Sequence, residues 1–166
     1  IVPVYLLLGD AYAANEQPEE AMKALQTYVT YAEEDHFTLF LQGKLSYMQG
    51  DYETALEKLD ASIKLENNPM ARMYRGFTQL ELKHGPQAIF ELRVALVYYP
   101  ESFEAQIGLT RAYMLDAQYG NAYLQAAQAF RLAKTDEQRV QVYYWRAKAQ
   151  DKMGQLAGAK RDWEAL

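Results

Sequence analysis

The chain has 166 residues, half of them apolar, with 17 Lys and Arg against 22 Asp and Glu for a net charge of −5, and no cysteine. This balance excludes a disordered segment, which needs high charge and low hydrophobicity, and it leaves no disulfide, thiolate metal site or cysteine nucleophile. A pI near 5.1 speaks against a nucleic-acid surface, whose affinity rests on clustered cations neutralising phosphates.

Residues 4–8 are apolar, but Asp10 interrupts them and no basic residue precedes them, so neither a signal peptide nor a membrane span is expected. They read as part of a first helix carrying Tyr5, Leu8 and Tyr12, broken at Asn15-Glu16-Gln17-Pro18. Pro18 suits a first helical position, and Glu19 and Glu20 suit the positive end of a helix dipole, which predicts a second helix over 19–31. Later breaks at Gly50-Asp51, Gly85-Pro86, Gln118-Tyr119-Gly120 and Gly154-Gln155 each separate two segments of helical period. Between those pairs lie Glu34-Asp35, Asn67-Asn68-Pro69, Tyr99-Pro100-Glu101-Ser102 and Thr135-Asp136-Glu137-Gln138. Ser102 is expected to cap a helix, and Thr135 with Gln138 has the spacing of a capping box. Strand-like alternation and Asn-Gly hairpin signals are missing throughout, so the class is all-α.

The pairs repeat. Ala21, Ala55, Ala88, Ala122 and Ala159 are spaced 34, 33, 34 and 37 residues apart. Four residues after each stand Leu25, Leu59, Leu92, Ala126 and Trp163, and three further on Tyr28, Ser62, Ala95, Ala129 and Leu166. Twelve residues before each alanine is a small residue, Gly9, Gly43, Gly76, Thr110 or Ala147, which lets two helices cross closely.

Tyr5-x-x-Leu8-Gly9-x-x-Tyr12, Gly50-x-Tyr52-x-x-Ala55, and Ala88 with Pro100 twelve residues on resemble the tetratricopeptide repeat family. The resemblance implies a right-handed α-solenoid of antiparallel helix pairs, one domain over residues 1–166. Its repeats would be 2–35, 36–68, 69–102, 103–136 and a truncated 140–166, giving ten helices with the last incomplete. Copy three departs from the family, with Arg72 where an aromatic is usual. An ungapped register puts Gly76 on the family glycine, whereas a two-residue shift puts Tyr74 and Phe77 on core positions. Copy four lacks its closing proline at 133–135 and three extra residues follow, so the array should be less regular there.

The same resemblance implies a concave groove lined by repeat positions 2, 5, 9, 12 and 13. The candidate peptide-binding residues are then Phe37, Phe40, Lys44, Tyr47 and Met48 in copy two, and Met70, Met73 and Phe77 in copy three. Copy four supplies Ile107, Arg111 and Met114, and copy five Tyr144, Lys148 and Lys152. Aromatics and methionines at helical spacing serve either as packing against the next helix or as an apolar strip for a ligand, and both readings stand. Lys44, Arg111, Lys148 and Lys152 add a positive edge that favours carboxylates beside an apolar anchor. A clamp for a C-terminal carboxylate would require Lys and Asn where Leu6 and Asp10 stand.

Catalytic signatures are missing. His36 and His84 lie 48 residues apart without metal-ligand spacing, Ser46, Ser62 and Ser102 sit in no nucleophile elbow, and the glycines form no phosphate loop. The expected function is a non-catalytic protein-interaction scaffold with no cofactor and no metal. The alternatives are the middle section of a longer solenoid, or the substrate-selecting arm of a larger enzyme. Expected partners are another protein or peptide, or a second copy through exposed repeat ends, with no nucleic acid and no membrane insertion. The chain opens Ile1-Val2-Pro3 and stops in a helical pattern, so it is expected to be an excised piece; the cytoplasm is favoured over other compartments.

Overall fold

The computed structural model describes residues 17–166, so the first expected helix, with Leu6, Gly9 and Asp10, lies outside the described residues. Nine α-helices and no strand occur among those described. They are α1 (Pro18–Tyr31), α2 (His36–Gln49), α3 (Tyr52–Leu65), α4 (Pro69–Glu81), α5 (Gly85–Tyr98), α6 (Phe103–Leu115), α7 (Tyr119–Phe130), α8 (Asp136–Lys152) and α9 (Leu156–Trp163). The fold class is an all-α solenoid of helix pairs. The chain divides into two compact units, Ile1–Arg75 and Gly76–Leu166.

Local chemistry starts these helices. Asp35 accepts from the Thr38 N–H at 2.7 Å, Asp51 from Thr54 at 3.2 Å, and Ser102 from Ala105 at 3.2 Å. Each satisfies a donor that the first turn leaves without a partner. The Thr38 N–H holds the Asp35 carboxyl below its ordinary value. That contribution to stability is present above the ordinary carboxylate range and is lost as pH falls through the depressed value. At Thr135 the capping box is complete, with Gln138 reaching back to the Thr135 N–H.

This box also accounts for the irregularity expected after copy four. α8 begins at Asp136 and runs 17 residues, against 13 or 14 for α2, α4 and α6. The three extra residues therefore go mainly into extending the first helix of the last pair at its start, and the loop before it, 131–135, is only one or two residues longer than the earlier ones.

In unit 1, a Cβ on Gly43 would stand 2.7 Å from Leu59 Cγ and 3.2 Å from the Ala55 carbonyl oxygen. The missing side chain is what brings α2 and α3 together, over the fully buried Ala55 and Leu59. The Ser62 hydroxyl donates to the His36 carbonyl at 2.6 Å and ties the far ends of the same pair. Leu25, Val29, Phe40, Leu41, Leu45, Leu59 and Ala71 form the core of this unit.

In unit 2, a Cβ on Gly76 would stand 2.7 Å from Leu92 Cγ. Gly43 with Leu59 and Gly76 with Leu92 are thus the same crossing one repeat apart, and the ungapped register of copy three is the correct one. Thr110 and Ala147 fill the equivalent places with no exposed surface. Phe103, Ile107, Ala129 and Val142 cluster between the later pairs.

The last hairpin is pinned electrostatically. Arg146 binds both carboxylate oxygens of Asp162, through Nε at 2.6 Å and through Nη2. Gln150 donates to the same carboxylate at 2.7 Å, and the Arg146 guanidinium rests over the rings of Phe130 and Tyr143. The bond from Asp162 pushes the Arg146 pKa above its ordinary value, against the opposing effect of burial. Arg146 thereby stays charged and the buried pair remains satisfied.

Among the described residues, the turn inside each of the last four pairs ends on one left-handed residue. Gly50 and Gly154 suit it, but the equivalent residues in the middle pairs are Lys83 (φ 64°) and Ala117 (φ 56°). A side chain in this conformation costs about 1–2 kcal/mol, partly offset by the freedom glycine loses on folding. Ala117→Gly should therefore raise stability by about 0.5–1 kcal/mol, read as a higher midpoint in urea. A lower midpoint would show that the backbone at Ala117 is not strained.

Candidate functional site

In unit 1 the candidate stripe is a chain of touching rings. Phe37 meets Tyr28 at 6.4 Å and Phe40 at 6.2 Å, Phe40 meets Tyr74 at 5.8 Å, and Tyr74 meets Tyr47 at 5.8 Å. Edge-on contacts of this kind add to apolar burial. Phe40 lies at the centre and is only 5% exposed, and Met73 is buried as well. Phe37, Lys44, Tyr47 and Met70 are half-buried, and Met48 is exposed. The Lys44 ammonium stands 5.5 Å from the Tyr74 ring centre.

In unit 2, Ile107 is buried in the Phe103 and Val142 cluster. Phe77 is half-buried and packs on the bare Cα of Gly108, where a Cβ would come within 2.8 Å of its ring. Arg111 donates to Glu81 at 2.9 Å, so this cation is neutralised on its own face. Met114 is half-buried.

The most open part of the stripe is in the last pair. Tyr144, 37% exposed, packs edge-on to Trp145 at 5.0 Å and Trp163 at 5.7 Å. Lys148 donates to the Tyr144 hydroxyl at 2.9 Å and stands 4.9 Å from the Tyr144 ring centre and 5.2 Å from that of Trp145. The Trp163 indole N–H donates to Asp151 at 2.9 Å, which fixes the back of the cluster. Lys152 is exposed beside it.

Phe40, Met73 and Ile107 thus contribute packing to the stripe, and Arg111 contributes an internal ion pair. The solvent-facing part of the stripe comprises Lys44, Tyr47 and Met48 in unit 1 and Tyr144, Lys148 and Lys152 in unit 2. Tyr74 and Trp145, both at repeat position 6, were missed in the sequence because that position is usually packing. The signal lay in an aromatic placed where it could reach the cation at position 9.

His36 pairs with Glu66 at 3.1 Å and His84 with Gln79 at 2.6 Å, so both histidines tie helix ends. Among the described residues no three His, Cys, Asp or Glu side chains gather as metal ligands. Two polar clefts of about 380 Å³ each lie off the stripe, one between α1 and α2 at Gln26, Gln42 and Gln49, the other at Tyr123, Arg146 and Arg161.

Burial separates the two kinds of aromatic by experiment. Phe40→Ala should cost about 3–5 kcal/mol, as for other fully packed rings, whereas Tyr144→Ala should cost less than about 1.5 kcal/mol because much of its ring faces water. Chemical denaturation followed by circular dichroism checks both. Equal losses would show that Tyr144 is as tightly enclosed as Phe40.

Residues 2–35 match the family model for the tetratricopeptide repeat. No curated protein sequence matches the chain. The fold is similar to that of MamA 41-end from Desulfovibrio magneticus RS-1, with a TM-score of 0.77 and 21% identity over 98% of this chain and 91% of that one. It is also similar to TTC0263, a thermophilic TPR protein of Thermus thermophilus, with a TM-score of 0.73 and 18% identity over 99% and 89% of the two chains. At these identities the likeness concerns the fold alone.

Proposed function

We propose that this tetratricopeptide repeat array is a non-catalytic scaffold whose first helices hold an extended or helical segment of a partner protein. The fold class generally mediates protein–protein interaction. One observation supports the finer reading: in each unit a lysine on a first helix borders a partly exposed tyrosine, Lys44 over the Tyr74 ring and Lys148 at the Tyr144 hydroxyl. A tyrosine with a cation beside it offers the uncovered side of its ring to an apolar side chain and the cation to a carboxylate. The partner segment that fits carries apolar anchors flanked by Asp or Glu. Binding energy at such faces concentrates in a few aromatic anchors, while exposed lysines act chiefly on association rate and salt dependence.

The test is capture of partners by the parent chain and by a Tyr144→Ala, Lys148→Ala variant, followed by calorimetry on any protein lost with the variant. Tyr144→Ala should weaken binding about thirtyfold, equivalent to ~2 kcal/mol. Lys148→Ala should weaken it at low salt, with the difference shrinking as salt rises. A partner that binds both variants like the parent would place recognition elsewhere on the molecule.

A further inference from the structure

The second helices of unit 2 present a surface that the proposed scaffold role does not use. On α5, Phe90 is 59% exposed and Val97 77%, on one stripe at i and i+7, with Tyr98 exposed beside them. On α7 the residue at the repeat position of Phe90 is Leu124, again 59% exposed. Arg93 lies within the α5 stripe, Arg131 closes α7, and Arg161 holds the position of Phe90 on α9, all three exposed.

Carboxylates are sparse on α5 and α7 themselves. Glu91 is the single acidic residue in α5 and it is buried, and α7 contains none. The exposed Glu101 belongs to the loop that follows α5. By contrast α3, the second helix of copy two in unit 1, exposes Glu53 and Glu57, the latter at the repeat position of Phe90. Unit 1 carries 6 basic against 12 acidic residues and unit 2 carries 11 against 10, so the negative charge of the chain belongs to unit 1 and unit 2 is close to neutral.

We infer that this face of unit 2 is a peripheral docking surface for an anionic lipid bilayer. The apolar tips stand on separate helices, with α6 packed between α5 and α7, so they do not form the continuous seam that a single partner helix would fill. Separated apolar and aromatic tips among cations match the headgroup layer, where rings and methyl groups enter the interface and arginines stay with the phosphates. A second copy fits poorly, because pairing two α5 stripes antiparallel would bring Arg93 against its own counterpart. No helix of the described residues is long and apolar enough to cross a membrane, so contact would be from one side. The first helices would stay open to a protein partner.

The test is co-sedimentation of the full chain with vesicles of phosphatidylcholine alone and of phosphatidylcholine containing phosphatidylserine. Each cation near an anionic surface multiplies partitioning about fivefold. Arg93→Gln with Arg131→Gln should then lower partitioning about twenty-five-fold on the mixed vesicles, and Phe90→Ser with Val97→Ser should reduce it as well. These side chains are exposed, so circular dichroism should be unchanged for both double variants. Binding should favour the mixed vesicles and weaken from about 0.1 M to about 0.5 M salt. No binding to mixed vesicles at low salt, equal binding to both vesicle types, or full binding by both double variants would overturn the proposal. Retention on polyglutamate without vesicle binding would also overturn it, by making the face a site for acidic proteins.

Discussion

The structure depends on how closely two helices can cross. At Gly43 and at Gly76 the space that a Cβ would need is occupied by a leucine of the paired helix, Leu59 or Leu92, at 2.7 Å. Packed interiors do not yield easily to one added carbon. This contact fixes the rotation of each first helix, and the rotation decides which side chains turn inward and which remain for a partner. Where the glycine is replaced, at Thr110 and Ala147, the residue is still small and fully buried. The crossing is therefore kept by volume, with glycine needed only where a leucine branch fills the gap.

From that rotation the chemistry of each face follows. The first helices carry rings and methionines inward far enough to bury Phe40, Met73 and Ile107, and the remaining aromatics border lysines. The same arrangement explains why a chain with four cations at candidate positions is less basic on that side than the count suggests. Arg111 is matched by Glu81 at 2.9 Å, and Lys44 and Lys148 stand over the rings of Tyr74 and Trp145, an interaction worth about 0.5–1 kcal/mol at exposed sites. The last pair relies on a different device. Its second helix is short, and the Arg146–Asp162–Gln150 network holds it, with Gly158 bare because a Cβ there would collide with the Gln150 side chain.

Much of this was legible in the sequence because it is local or periodic. The alanine spacing located the helix crossings, and the caps at Ser102 and Thr135 were visible because cap and recipient lie three residues apart. Other features were hidden for physical reasons. Lys83 and Ala117 adopt the left-handed conformation without the glycine that normally announces it. The contact of Lys44 with Tyr74 joins residues 30 apart in the chain, and nothing in either residue's own helix signals the partner. Periodicity placed Phe40 on the inner face but could not tell that rings on both sides would cover it. The exposed apolar row on α5 was likewise hidden, since an apolar residue at helical spacing reads as core until its surroundings are known.

The central claim is that Gly76 and Leu92 share one volume and so set the register on which both faces depend. A double-mutant cycle of Gly76→Ala, Leu92→Ala and the pair measures it directly, using urea unfolding for each variant. Leu92→Ala alone should cost about 2–5 kcal/mol. Added to that background, Gly76→Ala should be at least ~1 kcal/mol more favourable than it is in the parent, because the new methyl enters the space the leucine left. Additive losses would contradict the account, since the two residues would then not compete for the same space.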